Sequence, residues 1–294
     1  NQLYDKLMCG KGYKMVNRIQ GTTTLYGLIG YPLKHSRSPH MHNSAFEALG
    51  LDHVYMVFEV KAGLIKEALE AFKVLGVKGG NITMPHKTEV VKHLDEISPD
   101  AKIIGSVNTI KIDEEGKVSG FNTDGKGLVK ALDEAGVNYK GEKIVILGAG
   151  GAARAVAIQL AYDGAKEVVI ANRTLSKAEE IVNRINENIP ESKGKAIELD
   201  EIILREELKD ASIFINCTSK GMKNPDESPI EDINLFHKGL FVVDIIYDPL
   251  KTRFLSLAEE AGCKIMNGID MMIYQGAIAF KIWTGEEMPV DYIK

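Results

Sequence analysis

A chain of 294 residues with 45% hydrophobic and 26% charged side chains has an ordinary globular composition, and its length suits two domains. A formal net charge of −5 excludes a general electrostatic pull toward nucleic acid or anionic membrane, so any phosphate recognition must be local. Cys9, Cys217 and Cys263 are widely spaced, fit no metal-ligand pattern and point to a reducing cytoplasm, while no apolar stretch approaches a membrane span.

Residues 1–14 lack the apolar centre of a signal peptide, and Met15 follows them; they are expected to be a leader or remnant without function. Thr24 to Gly30 reads as a first strand, running into a loop, Tyr31 to Pro39, dense in hydroxyls and basic groups. Ser38 is placed to cap the next helix, with Pro39 at its first position and its end near Gly50. Val54 to Val60 is a second strand, Leu64 to Leu75 an amphipathic helix, and Val77 to Thr83 a third strand. A helix is expected to begin at Met84 to Lys87. Ser36, Ser38, Thr83 and Lys87 would then all stand at carboxyl ends of strands, where α/β sheets hold ligands.

Val107 to Ile112 and Lys117 to Phe121 flank a turn, Asp113 to Gly116, and form a hairpin with Asn108 and Thr109 on one arm. Asn122-Thr123-Asp124-Gly125 leads into a helix ending near Gly136, and the link between domains is expected there, with Asp124 bordering a cleft. Blander roles compete at each position. Ser36, Ser38, Thr123 or Asp124 could simply cap helices, and Lys87 with Asp124 could be a surface ion pair.

The next stretch carries the most chemistry. Lys143 to Leu147 is a short apolar run, as for a strand buried on both faces. Gly148, Gly150 and Ala153 then fit the G-x-G-x-x-G/A turn, Ala152 to Ala161 reads as a helix, and Glu167 to Ala171 closes a βαβ unit. The first glycine permits the tight turn, the second lets backbone approach a pyrophosphate, and Ala153 lets helix and strand pack closely. Free N–H groups at the helix start favour the phosphates. An acidic residue at the end of the second strand would select NAD; the sequence there is Asn172-Arg173-Thr174, with Lys177 one turn on. Guanidinium grips phosphate in bidentate fashion, so this end suits the 2′-phosphate of NADP.

Beyond it come a polar helix at 176–188, a strand from Lys195 to Leu199, a helix at 200–209 and a buried strand from Ala211 to Cys217. Leu240 to Tyr247, a helix at 250–261 and Lys264 to Asn267 complete a parallel sheet. The last helix, Met271 to Trp283, carries Gln275 on an apolar face, where its amide wants a partner; Met271 and Met272 read as core.

With these residues laid out, the chain resembles the shikimate dehydrogenases. The markers are GLIGYPLKHSRSPHMHN (27–43), GGNITMPHK (79–87), VNT (107–109), FNTDG (121–125), GAGGAAR (148–154), NRT (172–174), NCTSKGM (216–222) and Gln275. The resemblance implies two α/β domains with a cleft between them. One is a mixed-sheet catalytic domain of residues 1–123 completed by 270–294. The other is a doubly wound Rossmann domain of 124–269 that binds NADP. It implies reversible, NADP-dependent reduction of 3-dehydroshikimate to shikimate, with Lys87 and Asp124 as catalytic pair. Ser36, Ser38, Thr83, Lys87, Asn108, Asp124, Tyr247 and Gln275 would hold the substrate. Cofactor contacts would fall on Gly148, Ala149, Gly150, Gly151, Ala152, Ala153, Asn172, Arg173, Thr174, Lys177, Thr218, Ile245 and Gly268, with no metal.

YMVFEV (55–60), TMPHK (83–87) and FKIWTGEEMP (280–289) also look like the quinate/shikimate branch, which accepts quinate and can use NAD as a secondary cofactor. A non-catalytic NADP-binding regulator is a further alternative, one expected to lack the Lys–Asp pair. The expected partners are small molecules, not nucleic acid or membrane, in a cytoplasmic monomer or homodimer.

Overall fold

The computed structural model describes residues 19–34 and 36–294, so the expected leader at 1–14 lies outside the described residues. Two six-stranded sheets organise the rest. The first comprises β1 (Thr24–Gly30), β2 (His53–Glu59), β3 (Gly79–Ile82), β4 (Glu96–Ile97), β5 (Thr109–Ile112) and β6 (Val118–Phe121). Their order is β2-β1-β3-β5-β6-β4, with β1 parallel to β2 and β3 while β5 runs antiparallel to β3 and β6. The sheet is mixed because the β5–β6 hairpin reverses the chain after α1 (Ser38–Ala48) and α2 (Ile65–Val74) have carried parallel crossovers.

The second sheet is parallel throughout: β7 (Lys143–Leu147), β8 (Glu167–Asn172), β9 (Lys193–Glu198), β10 (Ile213–Asn216), β11 (Phe241–Asp244) and β12 (Lys264–Met266). Its order, β12-β11-β10-β7-β8-β9, reverses direction between β7 and β10, the doubly wound arrangement with its switch point at the end of β7. Ile144, Val145, Ile146 and Leu147 are all fully buried, since apolar clusters cover both faces of the sheet. That double burial explains why these strands read as unbroken apolar runs and not as alternating ones.

Several local expectations change. Ser38 is already inside α1, with Arg37 preceding it and no side-chain cap; its N–H donates to the Ser36 hydroxyl at 3.3 Å. No helix starts at Met84. The residue before a proline is pushed away from helical backbone, and a turn closes from the His86 N–H to the Thr83 carbonyl at 3.0 Å. A single 3₁₀ turn follows at Val90–His93. The strand β4 and the short helix α3 (Pro99–Ile104) were not expected, nor was a terminal turn at Val290–Ile293.

Three further helices place the site: α4 (Asp124–Glu134), α5 (Gly151–Tyr162) and, after β12, α9 (Ile269–Thr284). Between them come α6 (Leu175–Asn188), α7 (Glu201–Leu208) and α8 (Arg253–Glu260). Although α9 follows the second sheet, its apolar face joins the core of the first, where Phe280 and Trp283 pack with Tyr26, Phe46 and Tyr55. The Trp283 indole N–H donates to the Ile110 carbonyl at 2.9 Å. Helix α4 touches both halves. A Cβ at Gly125 would stand 2.5 Å from the Ala155 carbonyl of α5, and one at Gly127 2.7 Å from the Met271 carbonyl of α9.

This core also holds a histidine. His42 is fully buried against Tyr55, Trp283 and Phe280, at ring-centroid distances of 4.6, 5.0 and 6.4 Å. Neither ring nitrogen meets a hydrogen-bond partner among the described residues. Burial pushes its pKa from 6.5 down to about 3, and the polar side chain of Asn81 offsets only part of that drop. The unfolded chain therefore takes up this proton first. The stability tied to the neutral ring is complete above pH 6.5 and is lost as pH falls toward 3. Denaturant titrations should show His42→Phe losing an acid-limb slope of up to about 1.4 kcal/mol per pH unit relative to the parent. Superimposable slopes for the two proteins would refute this.

Candidate active site

A cavity of about 430 Å³ opens between the two sheets. The first half contributes Ser36, Ser38, Asn81, Thr83, Lys87 and Asn108 to its lining, with Asp124 from the tip of α4. The second contributes Ile245, Tyr247 and Gly268, and α9 adds Met271, Met272 and Gln275. All the residues expected to hold a substrate thus share one wall-to-wall space. Two departures stand out. Met272 and part of Met271 face the cavity instead of being core alone, and Asn81 was not singled out in the sequence.

Lys87 Nζ lies 2.6 Å from Asp124 Oδ2, and both side chains are mostly but not wholly shielded. The other carboxylate oxygen accepts from Asn108 Nδ2 at 2.8 Å. Thr123 is the residue before α4, but its hydroxyl makes no helix cap. Instead it accepts from Asn108 Nδ2 at 3.0 Å and reaches toward Gln275 Oε1 at 3.5 Å, giving that amide the polar neighbour it wants. Here the capping explanation fails, because the side chain is fully buried and bonded to Asn108 and Gln275, two residues that line the cavity.

A crevice of about 960 Å³ lies over the carboxyl end of β7, lined by Gly148, Ala149, Gly150, Gly151, Ala152, Asn172, Arg173 and Thr218. Gly148 adopts φ +99°, a backbone open to glycine at little cost, which lets the chain turn from strand to helix. Ideal Cβ atoms at Gly150 and Gly151 would meet nothing within 4 Å. The bare backbone therefore faces open space, and α5 begins there without a side-chain cap. This cradle fits a dinucleotide pyrophosphate. Arg173 is exposed at the end of β8 and, among the described residues, has no carboxylate partner, which suits a phosphate monoester.

Five expected cofactor residues lie outside this crevice lining. Ala153 is fully buried and packs α5 on the sheet, as its small size requires, while Thr174 and Lys177 stand outside the crevice lining. Ile245 and Gly268 belong to the first cavity. A third gap, lined by Arg37, Thr218, Ile245 and Tyr247 among others, joins crevice to cavity.

The sequence reading also missed what holds this junction. Asp244 is fully buried, and burial pushes its carboxyl pKa up. It accepts from Thr252 Oγ1 at 2.6 Å, Asn216 Nδ2 at 3.1 Å and the Ile246 N–H at 3.1 Å. Asn216 Oδ1 in turn accepts from both the N–H and the hydroxyl of Thr218, at 2.9 and 2.7 Å. One carboxylate thereby fixes Thr218 and the loop carrying Ile245 and Tyr247. Among the described residues no cluster of His, Cys, Asp and Glu could hold a metal ion, and no helix is long and apolar enough to cross a membrane.

A doubly wound sheet with a glycine-turn crevice, opening onto a lysine–carboxylate pair across a cleft, defines a nicotinamide-dinucleotide oxidoreductase. Residues 28–110 match the family model for the shikimate dehydrogenase substrate binding domain, and 130–247 that for shikimate / quinate 5-dehydrogenase. Residues 268–294 match the shikimate 5′-dehydrogenase C-terminal domain. The chain belongs to the shikimate dehydrogenase family. It is 53% identical to the shikimate dehydrogenase (NADP(+)) of Alkaliphilus metalliredigens, over 94% of this chain and 97% of that one. Shikimate 5-dehydrogenase from Listeria monocytogenes, solved in complex with shikimate and NAD, superposes with a TM-score of 0.92 at 45% identity, covering 96% and 98%. Quinate dehydrogenase from Corynebacterium glutamicum, solved with NAD, gives a TM-score of 0.85 at 33% identity, covering 92% and 97%.

Proposed function

We propose that this chain interconverts 3-dehydroshikimate and shikimate with NADP(H), Lys87 and Asp124 being the catalytic residues. The observation that carries the reading is the 2.6 Å Lys87–Asp124 pair, which opens into a cavity also walled by Ile245 and Tyr247 of the nucleotide-binding half. When bound, the nicotinamide supplies or removes the hydride. The protein's task is to hold the ring and manage one proton. In reduction, Lys87 Nζ presents N–H donors to the carbonyl oxygen as it becomes a hydroxyl. Asp124, held by Asn108, fixes the direction of that ammonium. Ser36, Ser38, Thr83, Tyr247 and Gln275 offer neutral hydrogen bonds suited to a hydroxylated ring acid.

This reading divides the chain into a substrate-holding unit, 1–123 with 270–294, and a nucleotide-holding unit, 124–269. The docking of α9 on the first sheet supports it, with α4 touching both units. Both sites are built from a single chain, so monomer and homodimer are equally served. A reducing cytoplasm suits the free thiols of Cys217 and Cys263.

The decisive assay crosses shikimate and quinate with NADP⁺ and NAD⁺, following reduced nicotinamide by absorbance. Shikimate with NADP⁺ is expected to give the highest kcat/KM. Failure of shikimate to drive NADPH formation would remove the proposal. The likeness to a quinate dehydrogenase supports a second reading, and quinate turnover exceeding that of shikimate would favour it.

A further inference from the structure

From Asn81 in the cavity wall a line of buried polar side chains that the mechanism above does not use runs into the first sheet. Tyr55 on β2, Asn81 on β3 and Thr109 on β5 are respectively 2%, 8% and 0% exposed. Tyr55 Oη donates to Asn81 Oδ1 at 2.7 Å. Asn81 Nδ2 donates to Thr109 Oγ1 at 3.1 Å and to the Asn108 carbonyl at 3.2 Å. Thr109 Oγ1 lies 3.0 Å from Asn108 Oδ1, with the Thr123 hydroxyl farther off at 3.3 Å. Asn108 Nδ2 then donates to Asp124 Oδ1 at 2.8 Å.

Two backbone groups set the direction of this line. A carbonyl only accepts, so the Asn108 carbonyl fixes which end of the Asn81 amide is the NH₂. A backbone N–H only donates, and that of Thr123, 2.8 Å from Asn108 Oδ1, fixes the Asn108 amide likewise. With both amides oriented, the Tyr55 hydroxyl has to donate to Asn81. The Thr109 hydroxyl, already accepting from Asn81, donates onward to Asn108. Both Asn108 Nδ2 hydrogens are then spent on Thr123 and Asp124.

We infer that Tyr55, Asn81 and Thr109 form a one-way hydrogen-bond relay that orients Asn108 and, through it, the Asp124 carboxylate against Lys87. They are positioning residues, and the inference rests on the proposed roles of Lys87 and Asp124. Asn108 accordingly serves the carboxylate first, and a substrate only through what its oxygen has left to accept. The relay crosses strands that hairpin and crossover connections bring together, which is why no local motif announces it.

Thr109→Val tests the relay cleanly. Asn81 Nδ2 keeps the Asn108 carbonyl and Asn108 Oδ1 keeps the Thr123 N–H, so no buried group loses every partner. The expected result is a fall in kcat of about 10- to 100-fold, the scale of a misplaced catalytic group, with shikimate KM and the dissociation constant of NADP⁺ within about threefold of the parent. Thr109→Ser, which keeps the hydroxyl, should restore kcat to within about threefold, and Tyr55→Phe should fall between the two. Lys87→Ala is the reference. Parental kcat in Thr109→Val beside an inactive Lys87→Ala would overturn the relay alone, as would equal losses in the valine and serine variants. An active Lys87→Ala would overturn the underlying assignment, and the relay with it.

Discussion

Lys87→Ala is expected to lower kcat for shikimate oxidation by about 10²- to 10⁴-fold, the usual worth of a positioned proton-transfer group. Shikimate KM should change little, because Ser36, Ser38, Thr83 and Gln275 still line the cavity and bind ground and transition states alike. The pattern matters more than the size of the loss. A rise in KM at constant kcat would mean that Lys87 merely binds the ring, and near-parental turnover would move proton transfer to another group. Folding is not the expected casualty. The pair is only partly shielded, and Asp124 retains its bond from Asn108. Far-ultraviolet circular dichroism should overlay that of the parent.

The second large effect concerns nucleotide choice. Arg173→Asp removes a guanidinium from the crevice and sets a carboxylate where the 2′-phosphate would lie. A hydrogen bond to a charged group is worth about 1.5–3 kcal/mol, and each 1.4 kcal/mol is tenfold in affinity, so loss plus repulsion should cost kcat/KM for NADP⁺ about 10²- to 10³-fold. With NAD⁺, which lacks that phosphate, kcat/KM should move by no more than about threefold, since an acid at this strand end suits a ribose 2′-hydroxyl. Steady-state kinetics with both nucleotides checks this. An NADP⁺ preference that survives the substitution would relocate the phosphate site, with Lys177, outside the crevice lining, a poor replacement.

How far could the sequence alone have led here? The nucleotide-binding half was legible because its signals are local. Gly148 must take a positive φ, β7 and β8 must be apolar on both faces, and Arg173 follows directly on β8. Lys87 and Asp124 were legible as a pair only through motifs and the rule that strand ends hold ligands. Ser38 has the look of a cap in the sequence, yet α1 begins one residue earlier than Pro39 suggests. The missed pieces are nonlocal. Tyr55, Asn81 and Thr109 each look like an ordinary polar interruption of a strand, and only the order β2-β1-β3-β5 makes them neighbours. Asp244 reads as the end of a buried strand until Thr252 and Asn216 are seen to converge on it.

The chain's single tryptophan, Trp283, sits in the α9 surface that docks on the first sheet, stacked on Tyr26 at 5.3 Å. Its emission is therefore a private channel from one half of the molecule, silent about events in the parallel sheet. Ellipticity sums both halves. Melting curves from the two signals that coincide would mean the halves come apart in a single event, and curves that separate would give the order in which they let go.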